Sequence, residues 1–131
     1  MKTLITSFLI TLSLSTFASH PCNGEAGSYF INSSGELGGF VADTATVEST
    51  VYLGKNVQIC GEAEVREFAQ ITGYAVIKDF AKVYGSAHVY GEATIFENAE
   101  VYDRANVWGK AKVYGHAKIY GFAGLKGNVR V

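Results

Sequence analysis

Net charge is nearly missing from this sequence: 11 Lys and Arg stand against 12 Asp and Glu, giving −1 at pH 7 over 131 residues. A chain so balanced has no bias toward polyanions, which sets nucleic acid aside as a partner, and its length suits one domain. Beyond residue 18 it lacks a continuous apolar stretch of the ~20 residues that a membrane span needs. Gly-x-Ser-x-Gly, Cys-x-x-Cys and phosphate-loop patterns are also missing, so the chemistry those motifs carry has no support here. The 15 glycines do not precede helical patterns, and cysteine and histidine are scarce, at two and three residues.

What the sequence does have is a period of six. Every sixth residue from Val41 to Val131 is Val, Ile or Leu, at all sixteen positions, and four residues after each of the first fifteen stands Ala or Val. At ~3.6 residues per turn the sixth residue of a helix has left the starting face, so the period excludes an amphipathic helix and a coiled coil. It fits stacked short strands in a parallel β-helix with one continuous core. An inward aliphatic such as Val89 and the Ala two positions before it, Ala87, share one side of a strand, and the residues flanking the aliphatic point out. Small Ala suits narrow corners where bulk would overpack. The third hexad position is Gly in eight repeats and Asp at 43, 79 and 103, residues that tolerate the backbone angles of a sharp corner.

Segments such as Val83-Tyr84-Gly85-Ser86-Ala87-His88 and Val113-Tyr114-Gly115-His116-Ala117-Lys118 resemble the hexapeptide repeat of left-handed parallel β-helix proteins, the bacterial transferase (LpxA-like) hexapeptide class. The resemblance covers 41–131 and implies an all-β fold of about five triangular coils, eighteen residues each. It describes a scaffold and not an activity. The expected organisation is a leader at 1–18, an irregular N-terminal cap at 19–40 and the β-helix at 41–131.

The leader reading rests on Lys2, an apolar run from Leu4 to Leu14 and the small-residue end Thr16-Phe17-Ala18, which together look like a secretory signal cleaved after Ala18. The mature chain is then exported: periplasmic, cell-surface or secreted. Cys22 follows Ser19-His20-Pro21, not an apolar lipobox, so no lipid anchor is expected. In an exported chain two cysteines favour a disulfide, Cys22–Cys60, tying the leading segment to the second coil; a buried free thiol is the alternative. Cys60, next to inward Ile59, should face outward. Asn32-Ser33-Ser34 is a glycosylation sequon in a eukaryotic source.

With eighteen residues per coil, residues eighteen apart lie above one another and form outward columns. Glu64, Lys82, Glu100 and Lys118 alternate in charge, which opposes a one-coil slip. Beside them run Glu48, Arg66, Tyr84, Tyr102 and Tyr120, a tyrosine ladder ending on a cation. A second face carries Gln70, His88 and Asn106 beside Thr72, Tyr90, Trp108 and Lys126. A third carries Thr94, Lys112 and Arg130 beside Lys78, Phe96 and Tyr114. The residue after the aliphatic is aromatic in seven consecutive hexads, Tyr84 to Tyr120. Aromatics among hydrogen-bonding groups suit recognition of a glycan or a protein, with Tyr90 and Trp108 the best-placed pair. The same surface suits trimer packing, and the register kept to Val131 predicts that this end is covered by a second copy end to end or by another protein.

Many members of the resembled class are acyltransferases with a catalytic His between subunits of a trimer and loops protruding from the coils. Here no hexad is interrupted and no helix follows the repeat. His88 and His116 are the weak candidates for a general base. The carbonic-anhydrase-like branch needs three His around one metal ion. Only His20, His88 and His116 exist, and His20 lies outside the coils. No metal site and no cofactor are expected, and the favoured reading is a non-catalytic structural or binding module, with an acyltransferase-like homotrimer as the alternative.

Overall fold

The computed structural model describes residues 20–131; the leader at 1–18 lies outside them. After a tight turn at Pro21–Gly24, in which Cys22 and Asn23 have φ of 52° and 54°, β1 (Gly27–Ile31) and β2 (Leu37–Ala42) pair antiparallel. The leading segment is therefore not irregular: its cap is a strand pair. Strands β3 to β16 have two residues each and follow every six residues: Thr46–Val47, Tyr52–Leu53, Gln58–Ile59, Glu64–Val65, Gln70–Ile71, Val76–Ile77, Lys82–Val83, His88–Val89, Thr94–Ile95, Glu100–Val101, Asn106–Val107, Lys112–Val113, Lys118–Ile119 and Gly124–Leu125.

These strands form three parallel sheets around a triangular core, in about five turns. Sheet I stacks β3, β6, β9, β12 and β15; sheet II stacks β4, β7, β10, β13 and β16; sheet III stacks β5, β8, β11 and β14 on the β2–β1 pair. Partners are eighteen residues apart, as in Lys82↔Glu100 and His88↔Asn106. The fold is the triangular β-solenoid that the hexad period requires. From Leu53 to Val113 each sixth residue is fully buried, as are the Ala or Val residues two positions before them. The inward expectation fails only at the ends: Val41, Ala45, Val47, Ala117 and Leu125 are partly buried, and Ala123, Val129 and Val131 are exposed, because no further coil covers them.

The corners are held by a device that composition does not reveal. The third hexad position takes positive φ at eight glycines and also at Glu67, Asp79, Glu97 and Asp103, with φ from 57° to 60° at the four acids. A left-handed conformation costs a non-glycine residue roughly 1–2 kcal/mol. Each of the four offsets that cost with a carboxylate that accepts the corner N–H of the next coil: Glu67 from Gly85 at 2.9 Å, Asp79 from Glu97 at 3.0 Å, Glu97 from Gly115 at 2.8 Å and Asp103 from Gly121 at 3.1 Å. Charge-assisted bonds of this kind are about twice as strong as neutral ones. Asp43 does not share the conformation; its N–H is held by the Ala26 carbonyl of the cap at 2.8 Å.

The N-terminal end is closed by two means. The β1–β2 pair covers sheet III, and Asn32 covers sheet II: its Oδ1 accepts the Leu53 N–H at 2.9 Å and its Nδ2 donates to the Leu53 carbonyl at 2.9 Å. A side-chain amide here takes the place of a neighbouring strand's peptide group. Asn32 is only 3% exposed and its Nδ2 also donates to the Glu36 carbonyl, so the sequon is closed to glycan attachment in the folded protein. Asn32→Ala should cost about 2–4 kcal/mol, because it strands a buried donor and a buried acceptor at once. Urea titration checks this, and a loss below about 0.5 kcal/mol would refute the capping role.

Candidate aromatic binding face

Every outward residue is placed by the same alternation that buries its neighbours. Val89 and Val107 point into the core from β10 and β13, so His88 and Asn106 before them and Tyr90 and Trp108 after them point out. Register then brings these four together on sheet II. Tyr90 and Trp108 are parallel to within 2° with ring centroids 5.7 Å apart. Rings touching face to face at roughly 3.5 Å must, at that centroid distance, be slid past each other like roof shingles, leaving part of each face open. His88 stands edge-on to Tyr90 at 6.3 Å and 88°. Both shingled rings are half-buried, with the benzo edge of Trp108 leaning over Gly124, where a Cβ would lie 3.3 Å from Cη2 and Cζ3. Gly124 gives the indole room to lie along the sheet, a role the sequence did not disclose.

The remaining aromatic candidates form separate ladders on the other two faces. On sheet I, Tyr84 and Tyr102 stack at 4.9 Å and Tyr102 and Tyr120 at 5.4 Å. The Tyr84 hydroxyl donates to Glu100 at 3.0 Å, and its pKa is pushed up to about 12 by partial burial first, then by that bond and the nearby negative charge. Arg66, next to Tyr84 in this column by register, pairs with Glu64 at 2.7 Å. In the charge column Lys118 reaches Glu100 at 3.7 Å, while Lys82 stands in register between Glu64 and Glu100. On sheet III, Phe96 and Tyr114 stack at 5.3 Å, with the Lys78 ammonium 5.4 Å above Phe96, an arrangement favourable through the ring quadrupole.

The two candidate bases are kept apart. His88 lies on sheet II, whereas His116 is exposed at the turn joining β14 of sheet III to β15 of sheet I, the edge opposite sheet II. Cys22 and Cys60 form a disulfide. Cys60 leaves the sheet on its outer side as expected but is 6% exposed, because Cys22, Phe40 and Ala42 of the cap pack over it. Cys22, Glu25 and Cys60 are the one trio of potential metal-ligand atoms within 4.8 Å among the described residues. Its sulfurs are bonded to each other, and a Glu25 oxygen is taken by the Gly61 N–H at 2.9 Å, so it is no thiolate ligand set.

Comparison with protein-family models, with curated proteins and with solved structures found no match. The site therefore rests on its own geometry.

Sequence reasoning missed a second group of aromatics at the fourth hexad position. Phe68, Tyr74 and Phe80 follow three successive corners and are 67%, 64% and 55% exposed, a girdle around one turn of the prism. Reading that position as its own column would have found them. Phe122, 82% exposed, lies under the Arg104 guanidinium at 5.7 Å.

Proposed function

We propose that this protein is an exported, non-catalytic β-solenoid of the hexapeptide-repeat type, acting as a binding module through sheet II. The shingled Tyr90–Trp108 pair carries this reading: two half-open rings held parallel on a rigid sheet, with His88 and Asn106 beside them as hydrogen-bonding groups. Large rigid aromatics flanked by polar groups give contact area at low entropic cost. Export is supported by the signal-like leader and by the Cys22–Cys60 disulfide, a bond that persists in oxidising compartments. The separation of His88 from His116 argues against a shared acid–base centre, and the cleft along sheet I is lined by Glu64, Arg66, Glu67, Lys82, Tyr84 and Glu100, with neither histidine.

The test compares wild type with Trp108→Ala on a glycan array and in pull-downs from the extracytoplasmic fraction. A ligand retained by wild type and weakened about 30-fold or more by the substitution is the expected result, the size typical of a buried aromatic anchor. The indole touches sheet II from outside, so the melting transition should stay nearly unchanged. Absence of any Trp108-dependent ligand in both screens would overturn the reading.

A further inference from the structure

We infer that the ligand of sheet II is an uncharged β-linked polysaccharide lying along the solenoid axis, one sugar ring per coil. This rests on the binding reading above and adds the ligand's chemistry and direction. The carrying observation is how charge is distributed among the faces. Outward residues on sheet I include Glu48, Glu64, Lys82, Glu100 and Lys118, and those on sheet III include Lys78, Lys112 and Arg130. Sheet II presents Tyr52, Gln70, His88 and Asn106 in one column and Thr72, Tyr90, Trp108 and Lys126 in the other. Lys126, just after the last strand, is the one Lys, Arg, Asp or Glu of these two columns among the described residues.

Amides, a hydroxyl and an imidazole beside aromatic rings match a ligand of many hydroxyl groups and apolar C–H faces. They do not match a polyanion, which would call for a row of cations. A protein partner fits less well. A peptide strand repeats every two residues, about 6.6–6.8 Å, whereas stacked coils repeat every ~4.8 Å, so strand side chains would run out of step with the columns. A pyranose unit is about as long as one coil is tall, so successive sugars of an extended β-linked chain meet Tyr90 and Trp108 in turn, with Gln70, His88 and Asn106 spaced at the same interval to receive their hydroxyls. The corner beside the rings carries Gly73, Gly91 and Gly109; the side chains of Tyr74, Glu92 and Lys110 follow them there, and Lys110 lies 3.7 Å from Glu92, so the charge bordering the rings is paired.

Trp108 is the only tryptophan, so its fluorescence reports directly from the site. Wild type, Trp108→Ala, Gln70→Ala and Asn106→Ala would be titrated with cello-oligosaccharides and fully N-acetylated chito-oligosaccharides of two to six units and with oligogalacturonate; for Trp108→Ala, which has no indole signal, the readout is calorimetry. Expected are an affinity that rises with each unit up to about four and then levels off, a loss of about tenfold for each amide variant, and much weaker binding of oligogalacturonate. Neutral sugars that bind without length dependence, equal affinity for oligogalacturonate, or unchanged affinity in both amide variants would overturn the inference. If no oligosaccharide shifts Trp108 but a protein shows Trp108-dependent capture, the polysaccharide assignment falls while the binding reading stands. If nothing depends on Trp108, both fall.

Discussion

Val89→Asp is expected to destroy cooperative folding of the central coils. Val89 is fully buried and registers between Ile71 and Val107, both also fully buried. Nothing polar from a side chain faces it, because every inward position of the neighbouring coils is aliphatic or Ala. An ionised carboxylate there has neither water nor a partner, and a protonated one still leaves a hydroxyl unpaired, so the cost should exceed about 4 kcal/mol. In a stack where each coil contacts only its neighbours, the damage separates the prism into two short halves, neither with enough core to stand alone. The matched control is Val131→Asp, at the same hexad position but 42% exposed, which should cost no more than about 0.5 kcal/mol. Thermal unfolding by circular dichroism checks both; a Val89→Asp protein that melts like wild type would refute the inward assignment of the hexad aliphatics.

The second large effect belongs to the disulfide. Cys22 and Cys60 are separated by 38 residues, and closing a loop of that length lowers the entropy of the unfolded chain enough to stabilise the folded one by about 4 kcal/mol in the loop-closure treatment. The bridge also fastens the cap in place. Near it the Gln58 side chain accepts the Cys22 N–H at 2.8 Å and Glu25 holds the Gly61 N–H. The Cys22→Ser/Cys60→Ser double variant should lose most of that stability in guanidinium titrations, and reductant should lower the wild type to the same level. Unreduced wild type, unfolded, should label no thiol. Two thiols per chain, or a double variant as stable as wild type, would count against the bridge.

How far these properties could be read from the sequence depends on whether they repeat. The solenoid was legible because Val, Ile or Leu every six residues admits no other packing, and the columns followed from register alone. Cys22–Cys60 was legible from count and compartment. The cap was not, because its logic is singular. Asn23 to Gly39 is a Gly- and Ser-rich stretch that breaks the repeat and suits a cap or loop, yet a Cβ at Gly39 would overlap the Val57 carbonyl oxygen; that glycine serves close approach. Asn32 looked like a glycan acceptor because its sequon is local, while its true partner, Leu53, is 21 residues away. At the corners, Glu67 and Glu97 were not expected to hold positive φ, since Glu has no intrinsic preference for it. The compensating N–H lies one coil further on and is visible only in three dimensions. The aromatic face was legible as residues but not as shingled rings, because Gly124, which makes room for the indole, is silent in composition.

Because pairing between coils joins residues eighteen apart, as Gln70, His88 and Asn106 show, the face on which a solenoid side chain emerges is set by its distance along the chain, modulo eighteen. Duplicating one whole coil would lengthen all three ladders and leave every face chemically what it was. Duplicating a single hexad between Tyr90 and Trp108 would carry everything downstream one face onward, moving Trp108 off the sheet that holds Tyr90 without changing one core residue. Length and surface chemistry are thus inherited independently in this architecture: it can grow as a ruler grows, by whole graduations, and it changes identity only when a graduation is cut.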